Sequence, residues 1–417
     1  MLESSSETRL LDGVTVLDLT TYVTGGFATL MLANQGADVI KVERPEIGDD
    51  SRHSGPPFIS TGGYDGPGIT PAEGESPYFW TVNYGKRSIE LNLKSEEGKQ
   101  ALYDLAAKAD VFVENYRPGT AERLDVAYDD IRTNNESIIY CSISAFGETG
   151  PWAARPGYDL LVQGTSGIMS VTGPEGGDPV KVGLPETDLI TAMWAAFGVM
   201  GALFRREMTG EGDRVELGMH DSALPWLTKQ AGAVFAGEDP RRMGTKDPVI
   251  APYQAYPTAD GFLNVGCGNQ KLWEELCHAI DREDLLDDPR FETNGSRVEH
   301  MDELEEELTA VFEQRQTEVW VELLAEEEGL PVGPVMDVED ALYNEQAQAR
   351  GDVTELEHPA VGEIPVIEHP LNFERIESGF QKAAPMLGED TRDVLVEAGY
   401  SDEKIRALKE VGAIPDR

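Results

Sequence analysis

The first 140 residues alternate short β-branched runs with helical stretches, a pattern that points to a parallel sheet with crossover helices. Val14 to Leu19 (VTVLDL) reads as a strand. Gly25-Gly26 then open a helical stretch, FATLMLANQG, whose Phe27, Leu30 and Met31 fall on one face, and Ala37 to Glu43 (ADVIKVE) reads as the next strand. A second βαβ unit follows. Its strands are Ser88 to Leu93 (SIELNL) and Asp110 to Asn115 (DVFVEN), around a helix, SEEGKQALYDLAAKA, that Ser95 is placed to cap. Ser137 to Ser144 (SIIYCSIS) is a further strand, so this half of the chain reads as Rossmann-like α/β.

Between the two units lies a Gly/Pro/Ser-rich insertion, Gly48 to Ser76 (with GPPF, TGGYDGPG and AEGES), which reads as a long surface loop or flap. Leu189 to Phe204 (LITAMWAAFGVMGALF) is the longest uncharged apolar run. At 16 residues it is short for a bilayer and reads as a buried helix packing through its small residues. The texture changes around Asp239 to Pro257, and a compact α+β stretch follows, with GFLNVGCGN as a strand and KLWEELCHAI, MDELEEELTAVFEQ and EVWVELLAEE as helices. The expected organisation is a large Rossmann-like domain from residues 1–224 and 336–417, with a small α+β domain inserted at 225–335.

Composition narrows the partners. Lys+Arg number 34 against 77 Asp+Glu, a net charge of −43, and no basic cluster interrupts the acidity. Such a field repels phosphate backbones and anionic lipid, which argues against nucleic acid and membrane surfaces. With 12 lysines among the 34 bases the balance favours Arg, and a carboxylate surface this dense suits a cytoplasm of molar salt, where the Debye length is about 3 Å. The sequence reads as that of a halophile. Three distant cysteines (Cys141, Cys267, Cys277) without CxxC or HExxH spacing indicate neither a metal site nor a disulfide framework. The N-terminal MLESSSETRLLDG lacks the basic and apolar regions of a secretory signal, so the expected location is cytoplasmic.

GxGxxG, GxxxxGK[ST] and GxSxG are all absent. Gly25-Gly26 after the first strand is compatible with a phosphate turn and equally with plain turn geometry. Local depletion of charge is more informative. From Thr149 to Pro174, 26 residues, only Arg155 and Asp159 are charged, where the chain's 27% charged content predicts about seven. An acid kept in an apolar, Gly-punctuated window is expected to be held inside by hydrogen bonds or helix amides. Asp159 also precedes LLVQ, so it is equally placed to cap a helix, and the two roles are compatible.

The sequence resembles the class III CoA-transferases, the CaiB/BaiF or formyl-CoA transferase family, which includes the α-methylacyl-CoA racemases. The resemblance spans nearly the whole chain and rests on Val16 to Arg52, Asn83 to Lys99 (NYGKRSIELNLKSEEGK), ENYRPGT from Glu114, FGETGP followed by RPGYD, Phe204 to Glu216 (FRREMTGEGDRVE) and Ala251 to Phe262 (APYQAYPTADGF). It implies an intertwined homodimer, each subunit pairing a Rossmann-like domain with a small inserted one. It also implies coenzyme A and acyl-CoA as substrates rather than a permanently bound cofactor. Asp159 matches the family's carboxylate nucleophile. Val23, Thr24, Arg44, Leu91, Lys94, Asn115, Tyr116, Arg123 and Phe146 match positions that contact CoA. Leu91 and Tyr116 would flank adenine, while Arg44, Lys94 and Arg123 would meet phosphates.

Two departures refine the expectation. Racemases carry a His in the turn that reads Ala145-Phe146-Gly147 here, and Phe146 cannot move a proton, which favours transfer over racemisation. The glycine run that opens the small domain of formyl-CoA transferase is reduced to Gly244 within Arg241 to Thr245. The subgroup most resembled moves CoA from succinyl-CoA to a C4 or C5 dicarboxylate such as mesaconate, with Arg155, Arg241 and Arg242 as candidates for the far carboxylate. A racemase and a non-catalytic acyl-CoA-binding protein are the alternatives.

Overall fold

In the computed structural model, residues 9–62, 66, 68 and 74–416 are described. The first eight residues of the polar N-terminus, and residues 63–65, 67 and 69–73 of the insertion, which take in part of the TGGYDGPG and AEGES stretches, lie outside them. Six strands, β1 (Thr15–Asp18), β2 (Asp38–Glu43), β3 (Arg87–Glu90), β4 (Val111–Glu114), β5 (Ile139–Ser144) and β6 (Asp213–Gly218), form one sheet in the order β3-β2-β1-β4-β5-β6. Every neighbouring pair is parallel. Side chains alternate between two covered faces, so strands β1, β2, β4 and β5 carry apolar residues on both, while β3 contributes Ile89 to one. Val16, Val39, Val111 and Ile139 pack on one side with helices Thr24–Asn34 and Glu186–Thr209. Leu17, Ile40, Ile89, Phe112 and Tyr140 pack on the other with helix Glu96–Ala106 and the C-terminal helices Thr391–Glu397 and Asp402–Glu410.

Ser95 caps as expected, its hydroxyl accepting from the Gly98 amide at 3.1 Å, with Glu96 and Glu97 in the first turn. Three expectations are modified. Helix Thr24–Asn34 is buried nearly all round, and Phe27 and Met31, expected on its core face, are only half-buried. The cause is its neighbours: Ala28, Leu32 and Ala33 pack with the sheet and helix Glu186–Thr209, Leu30 packs with Phe79, Trp80 and Tyr84, and a Cβ on Gly25 would stand 2.3 Å from the Thr20 side chain.

Second, the apolar run belongs to a 24-residue helix, Glu186–Thr209, long and apolar enough by composition to cross a membrane. Its Ala192, Ala195 and Val199 side is buried on the sheet, but Met193, Trp194, Phe197, Phe204 and Met208 are exposed, so it is not a fully buried helix.

Third, the insertion is anchored at both ends rather than loose. Arg52 is buried, donates to both Glu43 oxygens at 2.8 Å and lies 3.7 Å from the Phe79 ring centroid. Ile59 and Glu75 close the segment through an antiparallel bridge.

The chain divides into two compact units. One comprises Met1–Gly167, Val182–Thr228 and Glu345–Arg417, and includes the β10 (Val353–His358) and β11 (Gly362–Ile367) hairpin. The other comprises Ile168–Lys181 and Lys229–Asn344. It holds a three-stranded antiparallel sheet, β7 (Tyr253–Pro257), β8 (Phe262–Gly266) and β9 (Val332–Pro334), packed with helices Gln270–Ala279 and Met301–Phe312 around Trp273, Phe291, Phe312 and Trp320. The three cysteines are free and buried.

Candidate active site

In an open parallel sheet, ligands bind beyond the carboxyl ends of the strands, where the strand order reverses. Here that point lies between β1 and β4. A cavity of about 580 Å³ opens there, lined by Thr21 to Thr24 after β1, Asn115 to Pro118 after β4, Ser144 and Ala145 at the end of β5, Arg155 to Leu160, Pro185 and Asp188.

The turn after β1 rests on a buried ionic network. Asp18 accepts from Lys86 Nζ at 2.9 Å and from the hydroxyls of Thr20 and Thr29 at 2.6 and 2.7 Å. Lys41 Nζ lies 2.8 Å from Asp49, and all four charged side chains are inaccessible. Burial opposes the charge on Asp18, but Lys41, Lys86 and the hydroxyls hold its carboxyl well below the usual range. Burial pulls the Lys86 ammonium down to about 8 despite Asp18. Asp49 accepts from the Tyr22 amide at 3.1 Å, holding Tyr22 at φ 58°, a left-handed conformation that few non-glycine residues adopt. Asn115 ties β4 to the same turn, its amide donating to Thr21 O at 2.8 Å and accepting from Thr21 N at 2.9 Å.

Asp159 is the first residue of the helix Asp159–Thr165, but its carboxylate makes no cap of that helix. Instead Oδ1 accepts from the Thr187 amide at 3.0 Å and the Thr187 hydroxyl at 2.9 Å, and Oδ2 accepts from Gln163 Nε2 at 2.8 Å. It thus caps the 24-residue helix Glu186–Thr209, whose own N-cap, Pro185, has no side-chain donor or acceptor for the purpose. Negative charge is favoured at that helix end. Gln163 and Thr187 are themselves buried, and Gln163 is fixed by accepting from Val182 N at 2.8 Å. A carboxylate offers about four lone-pair directions, and three are occupied, which leaves Oδ2 with one free.

Two further acids surround it. Burial raises the Asp188 carboxyl to about 6, with the Thr24 hydroxyl, which donates to Asp188, opposing and the charge of Asp159 adding to the rise. Burial and then Asp159 also raise Glu186, whose Oε2 is buried without a hydrogen-bond partner among the described residues. Gly157 lets the chain pass β5 on its way to Asp159: a Cβ there would stand 2.4 Å from Ala145 Cβ.

Of the residues singled out from sequence, Val23, Thr24, Asn115, Tyr116 and Asp159 meet in this cavity, with Arg155. Arg44 and Lys94, which follow β2 and β3, and Arg123 sit outside its lining but near the same edge of the sheet. Arg44 pairs with Asp50 at 2.6 Å and Arg123 donates to the Thr120 hydroxyl at 2.7 Å; both residues they hold line the cavity. Leu91 differs from the expectation: its side chain is 1% exposed within the sheet core, so it presents no face to an adenine ring. Phe146 is half-buried against Trp152 and His220 at centroid distances of 5.6 and 6.2 Å. Arg242 is occupied by the carbonyls of Gly177 and Ser170 within the second unit.

Sequence reasoning missed Gln163, Thr187, Asp188 and Arg117. Gln163 carried a signal, being four residues after Asp159 on a helical pattern. Thr187 lies 28 residues away, with no local sign of the contact.

Comparison with known proteins agrees with the geometry. Residues 11–391 match the description of CoA-transferase family III. The chain is 40% identical over 394 residues to a succinyl-CoA:glutarate CoA-transferase of Mus musculus, covering 94% of this chain and 87% of that protein. It is 36% identical over 395 residues to a succinyl-CoA:mesaconate CoA-transferase of Haloarcula hispanica, covering 93% and 96%. A crystal structure of a CaiB/BaiF family protein from Brucella suis superposes with a TM-score of 0.82 at 34% identity, covering 94% of this chain and all of that one. The cavity at the reversal of a six-stranded parallel sheet, with a carboxylate held open at its wall, therefore belongs to an enzyme: this chain is a member of CoA-transferase family III.

Proposed function

We propose that the protein transfers CoA from succinyl-CoA to a C4 or C5 dicarboxylate, in the range of mesaconate and glutarate, with Asp159 as nucleophile. The observation that carries this reading is the carboxylate of Asp159, held by three donors from Thr187 and Gln163 at the cavity wall with one lone pair of Oδ2 unengaged. The names of the mouse and Haloarcula relatives support the choice of acids.

Oδ2 attacks the thioester carbonyl of the donor; the carbon–sulfur bond breaks, leaving a mixed anhydride and CoA thiolate. The thiolate attacks the aspartyl carbonyl and expels the donor acid, giving an aspartyl-CoA thioester. The acceptor acid then repeats both steps in reverse. One thioester is exchanged for another, so the reaction is nearly isoenergetic and the protein's task is to position Asp159 and exclude water from the anhydride. Tyr22, Tyr78 and Tyr158 in the cavity wall contribute apolar surface to that exclusion.

The coenzyme would enter along the carboxyl edge of the sheet. Tyr116 and Arg117 are within the cavity, and Arg44, Lys94 and Arg123 are spread outside it for the phosphates. Leu91 contributes there through its place in the core rather than by stacking. Val23 and Thr24 line the thioester end, and Phe146 packs beneath the Gly157 turn.

The exposed row Met193, Trp194, Phe197, Phe204 and Met208, an apolar surface that a second copy would cover, supports a homodimer. The charge of −43 suits a cytoplasm of molar salt. The mechanism is tested by trapping: succinyl-CoA without an acceptor should leave CoA attached to Asp159, and its absence under conditions of turnover defeats the proposal.

A further inference from the structure

A dicarboxylic acid presents two carboxylates, and Asp159 deals with only one. The other is an anion entering a cavity whose wall already contains the carboxylates of Asp50, Asp159 and Asp188. Among the described residues two arginines are the cations of that wall, Arg117 and Arg155. Arg117 directly follows Tyr116 after β4 and belongs with the residues assigned to the coenzyme. Arg155 stands in the segment that leads to Asp159, four residues before it, a length of chain that spans at most about 14 Å.

Arg155 is exposed, and its guanidinium carbon lies 4.8 Å from the ring centroid of Trp152. That contact orients the guanidinium plane and leaves its N–H edges available. In a chain with 77 acidic residues, the described residues place no carboxylate within 4.0 Å of Arg155. Arg44, by contrast, is paired with Asp50, and Arg242 is bound to two carbonyls of its own unit.

We propose that Arg155 receives the far carboxylate of the dicarboxylic substrate while the near one reacts at Asp159, and so selects dicarboxylic over monocarboxylic acids. The inference rests on the transferase reading above. A planar fork of donors matches a carboxylate in a bidentate pair, which a hydrated monocarboxylate chain end cannot form. Because Arg155 is open to solvent, the discrimination is moderate, about 10- to 100-fold, the range of one hydrogen-bonded charge pair.

The test compares acids of equal length. Transfer is measured for wild type, Arg155→Met and Arg155→Lys with glutarate or valerate as acceptor and with succinyl-CoA or butyryl-CoA as donor. In wild type, kcat/KM favours glutarate over valerate. In Arg155→Met the KM for glutarate and for succinyl-CoA rises about 10- to 100-fold, while those for valerate and butyryl-CoA stay within about twofold, and Arg155→Lys falls between. Equal losses for both acids, an unchanged preference, or a wild type that does not distinguish them overturns the proposal. Unaltered thermal unfolding excludes misfolding as a cause, and if the Met variant does not fold, the Lys variant decides by the same ratio. An unchanged preference with transfer still abolished by Asp159→Asn defeats this inference alone; transfer surviving Asp159→Asn defeats the mechanism beneath it.

Discussion

Replacing the donor on Asp159 Oδ2 by an acceptor of the same shape isolates what the site asks of Gln163. Gln163→Glu keeps the side-chain length and the oxygen that accepts from Val182 N, but converts the 2.8 Å donation to Asp159 into a contact between two carboxylates. Charge centres about 4 Å apart at an effective dielectric of about 20 repel by about 4 kcal/mol. That is about three powers of ten in proton affinity, enough to keep one proton on the pair from the ordinary carboxylate range near 4 up to about pH 7. A shared proton occupies the lone pair that would attack the thioester. Transfer from succinyl-CoA, followed by chromatography of the product thioester, is expected to fall about 100-fold at pH 5 and about twofold at pH 7, and to recover as the pH rises towards 9. Gln163→Leu removes the donor without adding charge and is expected to cost 10- to 100-fold with no such recovery. A Gln163→Glu protein with the wild-type rate and pH profile would refute the placement of Gln163 as the holder of the nucleophile.

Two further outcomes follow from the charges around the site. Asp188, with a folded carboxyl raised to about 6 against an ordinary value of 3.8, binds its proton more tightly when folded, so its contribution to stability is complete below about pH 4 and is lost as the pH rises through 6. Asp188→Asn should therefore melt higher than wild type at pH 8, by about 1–2 kcal/mol of stability after allowance for solvent, and converge with it at pH 4; an equal difference at both would contradict the cause assigned. The acidic surface and the exposed apolar row predict a dimer by sedimentation in molar KCl and a melting temperature that falls steeply on dilution of the salt; a monomer, or salt-independent melting, would exclude them.

Much of the sheet was legible because strands β1, β2, β4 and β5 are short β-branched or aromatic runs bounded by turns, and the Ser95 cap announces its helix. What depended on distant packing was not. Phe27 and Met31 pack against the core but are only half-buried, because periodicity describes one environment, whereas the Thr24–Asn34 helix is enclosed on nearly every side. The helix from Glu186 looked buried because small and aromatic residues are interleaved in it, and only the fold separates its alanine side from its exposed aromatic side. Within the site, the loss of charge around Asp159 drew attention to a segment that lines the cavity, and the resemblance to a family implied a role for it. The cap that the sequence suggested is made to a different helix, one that begins 27 residues after Asp159, a contact that only the fold creates. Leu91 shows the opposite case, an apolar residue whose side chain serves the core. The convergence of Lys41 and Lys86 on Asp18 and Asp49 had no local sign and required the sheet.

The central claim is that one oxygen of Asp159 becomes bonded to an acyl carbon and its carbonyl then to sulfur. Incubation of the protein with succinyl-CoA in molar salt without acceptor, acid quench, and peptide mass spectrometry read it directly. The account predicts the mass of CoA on the peptide that contains Asp159, absent from Asp159→Asn and discharged when a dicarboxylate is added. Continued turnover with that peptide unmodified, or CoA bound covalently to another residue, would contradict it.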